Sequence, residues 1–279
     1  AGGLVITIVG IVLDRNLAWR TGDDSVAVMR FATTLVQLPL GLVATATSLA
    51  ILPTLARLAG PEDDAYRRTL ALGIRLTLVL LVPAMVALVQ LREPVVGLLF
   101  ERGRFDALAT EKTALAFLFY APQLPFVAID QLLLVAFYAR KNTLTPMLVG
   151  LAGVGIYLAV ALTLIGPGGM GMLGLVTANT VQHVLHAVIL YLLLRRAVGN
   201  LEERALGVVL AKVTGAASLG ALATVVTTLS LPEKHDLITR LLHVGLAGGT
   251  FGTVYVLALV VLRAEELRPV LARFRRAGA

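Results

Sequence analysis

Eight apolar runs, joined by short charged or glycine-rich connections, decide what this chain can become. They cover residues 1–13, 27–58, 69–91, 111–139, 144–165, 171–194, 207–231 and 238–262. Crossing the hydrocarbon core of a bilayer takes about 20 mostly apolar residues, wound as a helix so that each backbone N–H and C=O is satisfied within the segment. The composition agrees. The chain is 58% hydrophobic and only 15% charged, with a mean hydropathy of +0.87, whereas soluble domains carry charge on about a quarter of their residues. Period-two alternation is absent, which argues against a membrane barrel. The expectation is an all-α polytopic membrane protein of about eight transmembrane helices, with little chain left for a soluble domain.

The charges between the runs orient them. One set of connections, with the tail after residue 262, holds thirteen Lys and Arg against seven acids; the other holds nine against nine. Positive excess marks the cytoplasmic face. Both ends of the chain are therefore expected inside, and the basic tail RAEELRPVLARFRRAGA is expected to lie against lipid head groups, not nucleic acid. No cysteine is present, so disulfides and thiolate metal sites are excluded. The chain opens with Ala inside an apolar run, which reads as the back portion of a longer protein.

Polar groups inside the runs are the informative ones, because a charge in lipid is costly. Arg75 stands about two turns into the third run and Asp130 well inside the fourth. Lys212, in the seventh, has a stem long enough to snorkel to the interface. Asp130 has no such reach, so it must pair, take up a proton or face water; the sequence does not name its partner. His183 and His186, spaced i and i+3, share one helix face with Thr177, Asn179 and Thr180 nearby. With no third histidine or cysteine close by, interhelical hydrogen bonding is the simpler reading, and no metal or cofactor is expected. Nucleophile, zinc and phosphate-loop motifs are also absent, so enzymatic chemistry is disfavoured.

The second run is broken and wet. Pro39 and Pro53 each remove a helical hydrogen bond, and Gln37, Thr45, Thr47 and Ser48 accompany them. In the run's outer half Thr33, Thr34, Gln37 and Pro39 form a polar, kinked stretch of the kind found where transporters bind and hinge. Ordinary helix packing around a proline bend explains the same residues equally well. The loop 91–112 reads as a short interfacial helix followed by a charged bend at Gly103, and GPGGMG (166–171) as a tight glycine turn.

Several stretches together resemble the MurJ/MviN family, the lipid II flippases of the multidrug/oligosaccharidyl-lipid/polysaccharide exporter superfamily. They are QLPLG with ILPTLARLA, RRTLALGIRLTLVLLVPAMVAL, LLFERGRFDALAT, AFYARKNTLTP and IGPGGMGMLGLVTANTVQHVLHAVILYLLLRR. Their order and spacing cover nearly the whole chain. The resemblance implies spans seven to fourteen of a fourteen-helix transporter in the bacterial cytoplasmic membrane, lacking its N-terminal half. Residues 1–196 would form the second six-helix lobe, and residues 197–279 two added spans with a cytoplasmic tail. It further implies alternating access, with a charged cavity for the head group of lipid II and a groove beside the last two spans for its polyprenyl tail. Arg30, Thr34, Gln37, Pro39, Arg75 and Asp130 are the residues expected to face that cavity.

Two departures qualify the likeness. Where family members carry an acid–arginine pair six and five residues before the proline, this chain has Thr33 and Thr34. Arg30, one helical turn earlier on the same face, is the candidate replacement. The eleventh span offers only Tyr157 and Thr163 as polar groups, so a sodium site of the type reported for some members is not expected. The departures leave open a relative that moves another polyprenyl-linked saccharide or a drug, and a non-transporting scaffold of cell-wall synthesis.

Overall fold

A computed structural model describes residues 2–58, 64–166, 168–231 and 237–263, and of residues 2–9, 45, 46, 50 and 237 the backbone alone. Among the described residues ten α-helices follow in order: α1 (Gly2–Trp19), α2 (Ser25–Arg57), α3 (Asp64–Gln90), α4 (Arg92–Phe100), α5 (Ala107–Tyr120), α6 (Leu124–Ala139), α7 (Leu144–Leu164), α8 (Met172–Val198), α9 (Glu203–Leu229) and α10 (Leu237–Val261). Among the described residues seven segments are long and apolar enough to cross a membrane: α2, α3, α5 with α6, α7, α8, α9 and α10. The basic tail lies outside the described residues.

Two boundaries differ from the apolar pattern for physical reasons. The first run stops at residue 13, but α1 continues through Asp14, Arg15 and Asn16 to Trp19. Hydropathy ends where charge begins; a helix does not. The fourth run is divided by a single 3₁₀ turn, Ala121–Gln123, because Pro122 and Pro125 cannot donate into a continuing α-ladder. The Phe119 carbonyl beside that turn accepts instead from the Thr180 hydroxyl of α8 at 2.7 Å. The second run, by contrast, stays one helix of 33 residues despite Pro39 and Pro53. At about 1.5 Å per residue it is about 50 Å long, so it tilts or projects beyond a core about 30 Å thick. Its Thr33, Thr34 and Thr47 hydroxyls donate to the carbonyls of Met29, Arg30 and Val43, one turn back.

In the assembly α2, α3 and α6 pack on one another, α5 lies against α2 and α8, and α8 bridges α6 to α7, on which α1 rests. α9 leans on α3, and α10 packs on α9 and α4. Gly220 sets the last spacing. A Cβ there would meet the Phe251 carbonyl oxygen at 3.1 Å and its ring at 3.2 Å, so only a bare backbone lets α9 and α10 come this close. Polar bonds pin α9 and α10 to the rest: Gln90 donates to the Ala221 carbonyl at 3.0 Å and Tyr255 to the Val79 carbonyl at 2.6 Å.

The 91–112 stretch forms the short helix and bend expected of it. α4 ends at Phe100, Gly103 turns the chain with φ +64°, and Asp106 caps α5 by accepting from the Ala109 N–H. Phe100 and Phe105, flanking the turn, close on Phe31 of α2 with ring centroids 5.0 and 4.9 Å away. The GPGGMG turn is equally specific: Gly168 and Gly171 hold positive φ.

Candidate functional site

Three places carry polar groups into the helical bundle, and the expected cavity residues divide among them. The first is a stripe on α2. Arg30, Thr34 and Gln37 recur at helical spacing, and all three are exposed. The Arg30 guanidinium has no acid partner among the described residues, and the hydroxyls of Thr33 and Thr34 are engaged by their own helix. Pro39 is half-buried at the end of this stripe.

The second is a polar cavity of about 310 Å³ between α1, α6, α7 and α8. Asp130 lies here, and its partner is His186: Nδ1 stands 2.7 Å from Oδ1, with the two side chains only 14% and 13% exposed. His183, Asn179 and Gln182 of α8 line the same space. So does Asp14 of α1, which accepts a hydrogen bond from the Tyr157 hydroxyl of α7. The first apolar run ends at residue 13, so hydropathy alone leaves Asp14 just outside it. Its proximity to the end of the first run, within reach of one more helical turn, was the signal available.

The third is the end of the bundle that carries the basic connections. Arg75 does not join Asp130. It reaches from α3 to Glu202, 2.9 Å away, at the start of α9. Lys212 extends to the Arg263 carbonyl at 3.2 Å, at the end of the neighbouring α10. It snorkels, as its stem length suggested. At the opposite end Arg240 of α10 bonds Glu101 at 2.7 Å, and Thr110 donates to the other oxygen of the same carboxylate at 2.8 Å. The hydrogen bond from Arg240, helped by Thr110 against the cost of burial, holds the Glu101 carboxyl below the usual glutamate range.

Beside these polar places runs an apolar groove of about 600 Å³ between α3, α6, α8 and α9. Ile74, Leu78, Val82, Phe126, Ile129 and Leu210 are among its walls, and Glu203 stands at its basic end. Nothing in the sequence marked these residues, since each is ordinary for a span.

A polytopic helical membrane protein with a polar cavity inside its bundle and an apolar groove along its side is defined by these features. A family model described as "Lipid II flippase MurJ" matches residues 2–244, and the chain belongs to that family. A probable lipid II flippase MurJ of Thermotoga maritima is 29% identical over 97% of this chain and 53% of its own length. Its counterpart in Vibrio cholerae is 27% identical over 95% and 51%. That of Rhizobium meliloti is 32% identical over 67% and 34%. A solved structure, "Lipid II flippase MurJ, inward closed conformation", shares the fold with a TM-score of 0.77 at 19% identity, covering 95% of this chain and 53% of that one. The chain spans about half the length of the relatives that it matches along nearly all of its own.

Proposed function

We propose that this chain is the second lobe, with the last two spans, of a flippase that carries lipid II across the bacterial cytoplasmic membrane by alternating access. Residues 1–196 act as the lobe, and residues 197–279 as the added spans with a cytoplasmic basic tail. The observation that carries the reading is the exposed stripe of Arg30, Thr34 and Gln37 on a membrane-crossing helix. Arg30 lies five residues from the start of α2, within reach of the membrane surface, and a cationic wet wall there is what an anionic pyrophosphate needs. The groove of about 600 Å³ suits the polyprenyl tail, which would travel in it while the head group crosses. Substrate, partner half and membrane lipids are then the molecules this chain meets.

One observation favours a second reading. The Thr33 and Thr34 hydroxyls are held by their own backbone, which leaves Arg30 as the one cation of the stripe. That weaker cavity suits another polyprenyl-linked saccharide, a drug substrate of the wider superfamily, or a scaffold role.

The test is rescue. The complete open reading frame that contains this sequence is expressed in bacteria whose own lipid II flippase can be switched off, with membrane levels checked by blot. Growth is expected, and Arg30→Ala is expected to abolish it while Arg30→Lys restores part. No growth at normal expression would overturn lipid II as the substrate.

A further inference from the structure

We propose that the 3₁₀ turn at Ala121–Gln123 is a hinge: α5 swings about it as a lever while α6 stays fixed to the bundle, and the wall of the apolar groove at the turn moves with it. The inference rests on the transporter reading above for its purpose, though not for its mechanics.

The sequence makes this joint weak. α5 and α6 belong to one membrane-crossing segment, Ala107–Ala139, and the turn falls near its middle. Pro122 has no N–H to offer the Leu118 carbonyl, and Pro125 none to offer that of Ala121. Two rungs of the α-ladder are therefore lost within four residues, at a depth where lipid supplies no substitute. Part of the substitute comes from α8, whose Thr180 hydroxyl donates to the Phe119 carbonyl at 2.7 Å. Gln123 is served less well. Its side chain is only 3% exposed, and its Oε1 accepts no hydrogen bond among the described residues. An unmet buried acceptor is a stored cost that a second setting of the turn can relieve. A short 3₁₀ stretch inside a longer helix is where such helices bend.

The two halves of the span are held differently. α6 is tied along its own length on two sides. Its Ala136 carbonyl accepts from Tyr66 of α3 at 2.8 Å, and Asp130 pairs with His186 of α8. α5 carries its ties at the end far from the turn. Lys112 pairs with Asp24 in the α1–α2 connection, and Thr110 donates to Glu101, the same carboxylate that holds Arg240 of α10. Just before α5, Phe105 packs on Phe31 of α2. Between Lys112 and the turn no side chain of α5 forms a hydrogen bond among the described residues; even Thr113, fully buried, has no partner for its hydroxyl. α5 lies against α2 and α8, and Ala114, Ala116 and Phe117 are among its buried residues. Apolar contacts of this kind have no preferred direction. A rod tied at its outer end and jointed at its inner one has rotation about the joint as its easy motion.

The joint also lies in the groove. Pro122, Pro125 and Phe126 line it, together with Leu206 and Leu210 of α9. A hinge set in the wall of a groove changes the groove's width as it turns, and it confines the change to a few residues. The outer bend, the clasp to α10 and the groove are thereby joined in one linkage through α5.

The experiment measures distances between pairs of spin labels by pulsed electron paramagnetic resonance. This sequence contains no cysteine, so labels go where they are introduced. The product of the complete open reading frame, with any cysteine outside this sequence replaced by serine, is placed in nanodiscs. Leu108→Cys on α5 with Tyr138→Cys on α6 reads the lever. Leu115→Cys on α5 with Leu210→Cys on α9 reads the separation beside the groove. Leu72→Cys on α3 with Tyr138→Cys is the control within the fixed body. Each of these positions is exposed. Both α5 pairs are expected to show two distance populations, and the control one. Thr180→Val removes the bond to Phe119 and is expected to change the population ratio of both α5 pairs together, by about twofold or more. Thr180→Ser is expected to keep the parent ratio. Should Thr180→Val fail to fold, Pro122→Ala with Pro125→Ala restores both N–H donors and is expected to leave a single population. α5 pairs as narrow as the control, a control as broad as the α5 pairs, or α5 populations indifferent to these substitutions would each overturn the proposal. The distances need no transport, so failed growth rescue beside two α5 populations would sink the flippase reading alone.

Discussion

The groove and the polar cavity lie on either side of α8, and they are built on opposite principles. The groove of about 600 Å³ is walled by Ile, Leu, Val and Phe from four helices. The cavity, half as large, gathers two acids, two imidazoles, an amide pair and a tyrosine. A groove of this kind offers shape and dispersion to a long apolar ligand and discriminates little along its length. A polar cavity in the same bundle is costly unless every group is paired, and it gains specificity from that strictness. The lesson is that one helix bundle can hold a permissive surface and an exacting one a helix apart, so substitutions in the two places should have opposite signatures.

The largest effect is expected where pairing is strict. His186→Leu leaves the Asp130 carboxylate buried without its partner, and removing one member of a buried pair costs about 3–5 kcal/mol. The double variant Asp130→Leu with His186→Leu should recover most of that loss, since two apolar groups need no partner. Thermal unfolding in detergent separates the cases. A single variant as stable as the parent would show that the cavity tolerates a lone charge, and the contrast with the groove would collapse.

A smaller effect is expected at the clasp between α10 and the α4–α5 bend, which ties α10 to the rest of the bundle outside both places. Arg240→Ala removes a charge-assisted hydrogen bond between side chains each 21% exposed, worth about 1.5–3 kcal/mol. The pH dependence follows from the depressed Glu101 carboxyl. Its folded value lies below its unfolded one, so the stabilisation is complete above the ordinary glutamate range and is lost as pH falls through the lower folded value. The parent should therefore lose its advantage over Arg240→Ala on acidification. A stability difference that stays constant down to strongly acidic pH would refute the clasp. Gly97→Ala offers a milder version, because its Cβ would come within 2.8 Å of the Arg240 guanidinium and displace it.

How much of this was legible beforehand depends on what each feature asks of the sequence. Helix positions were, because lipid demands long apolar runs. The α4 helix and the Gly103 bend were, because turn chemistry is local. Asp130 stood out as a carboxylate inside a span, and His186 as one of a histidine pair, but nothing local joins residue 130 to residue 186. Asp14 is not legible as a bundle residue, because the apolar pattern ends one residue before it while α1 runs on to Trp19. Arg75 was grouped with Asp130 as an intramembrane charge. Its partner Glu202 is 127 residues away, in a connection whose acids read from sequence only as surface charge. The groove was invisible, because Leu78 or Val82 looks the same facing lipid, core or ligand.

The smallest effect on stability, and the sharpest test of the contrast, is expected from filling the groove. Gly207 lines its α9 wall, and a Cβ there would meet no atom within 4 Å. Gly207→Phe should therefore start a side chain from an open Cβ position toward the groove, and by replacing a helical glycine it should leave stability within about 1 kcal/mol of the parent. If the groove carries the apolar tail of a substrate, growth rescue by the complete transporter should fall sharply although the protein is made and folded. Gly215→Phe, elsewhere on α9 with equally open surroundings, controls for bulk on this helix. Full rescue by Gly207→Phe would mean that the groove is an idle seam between α9 and the helices it packs against. Loss of rescue with unchanged stability would be the reverse of the His186→Leu signature, in which folding fails first, and that opposition is what the two places predict.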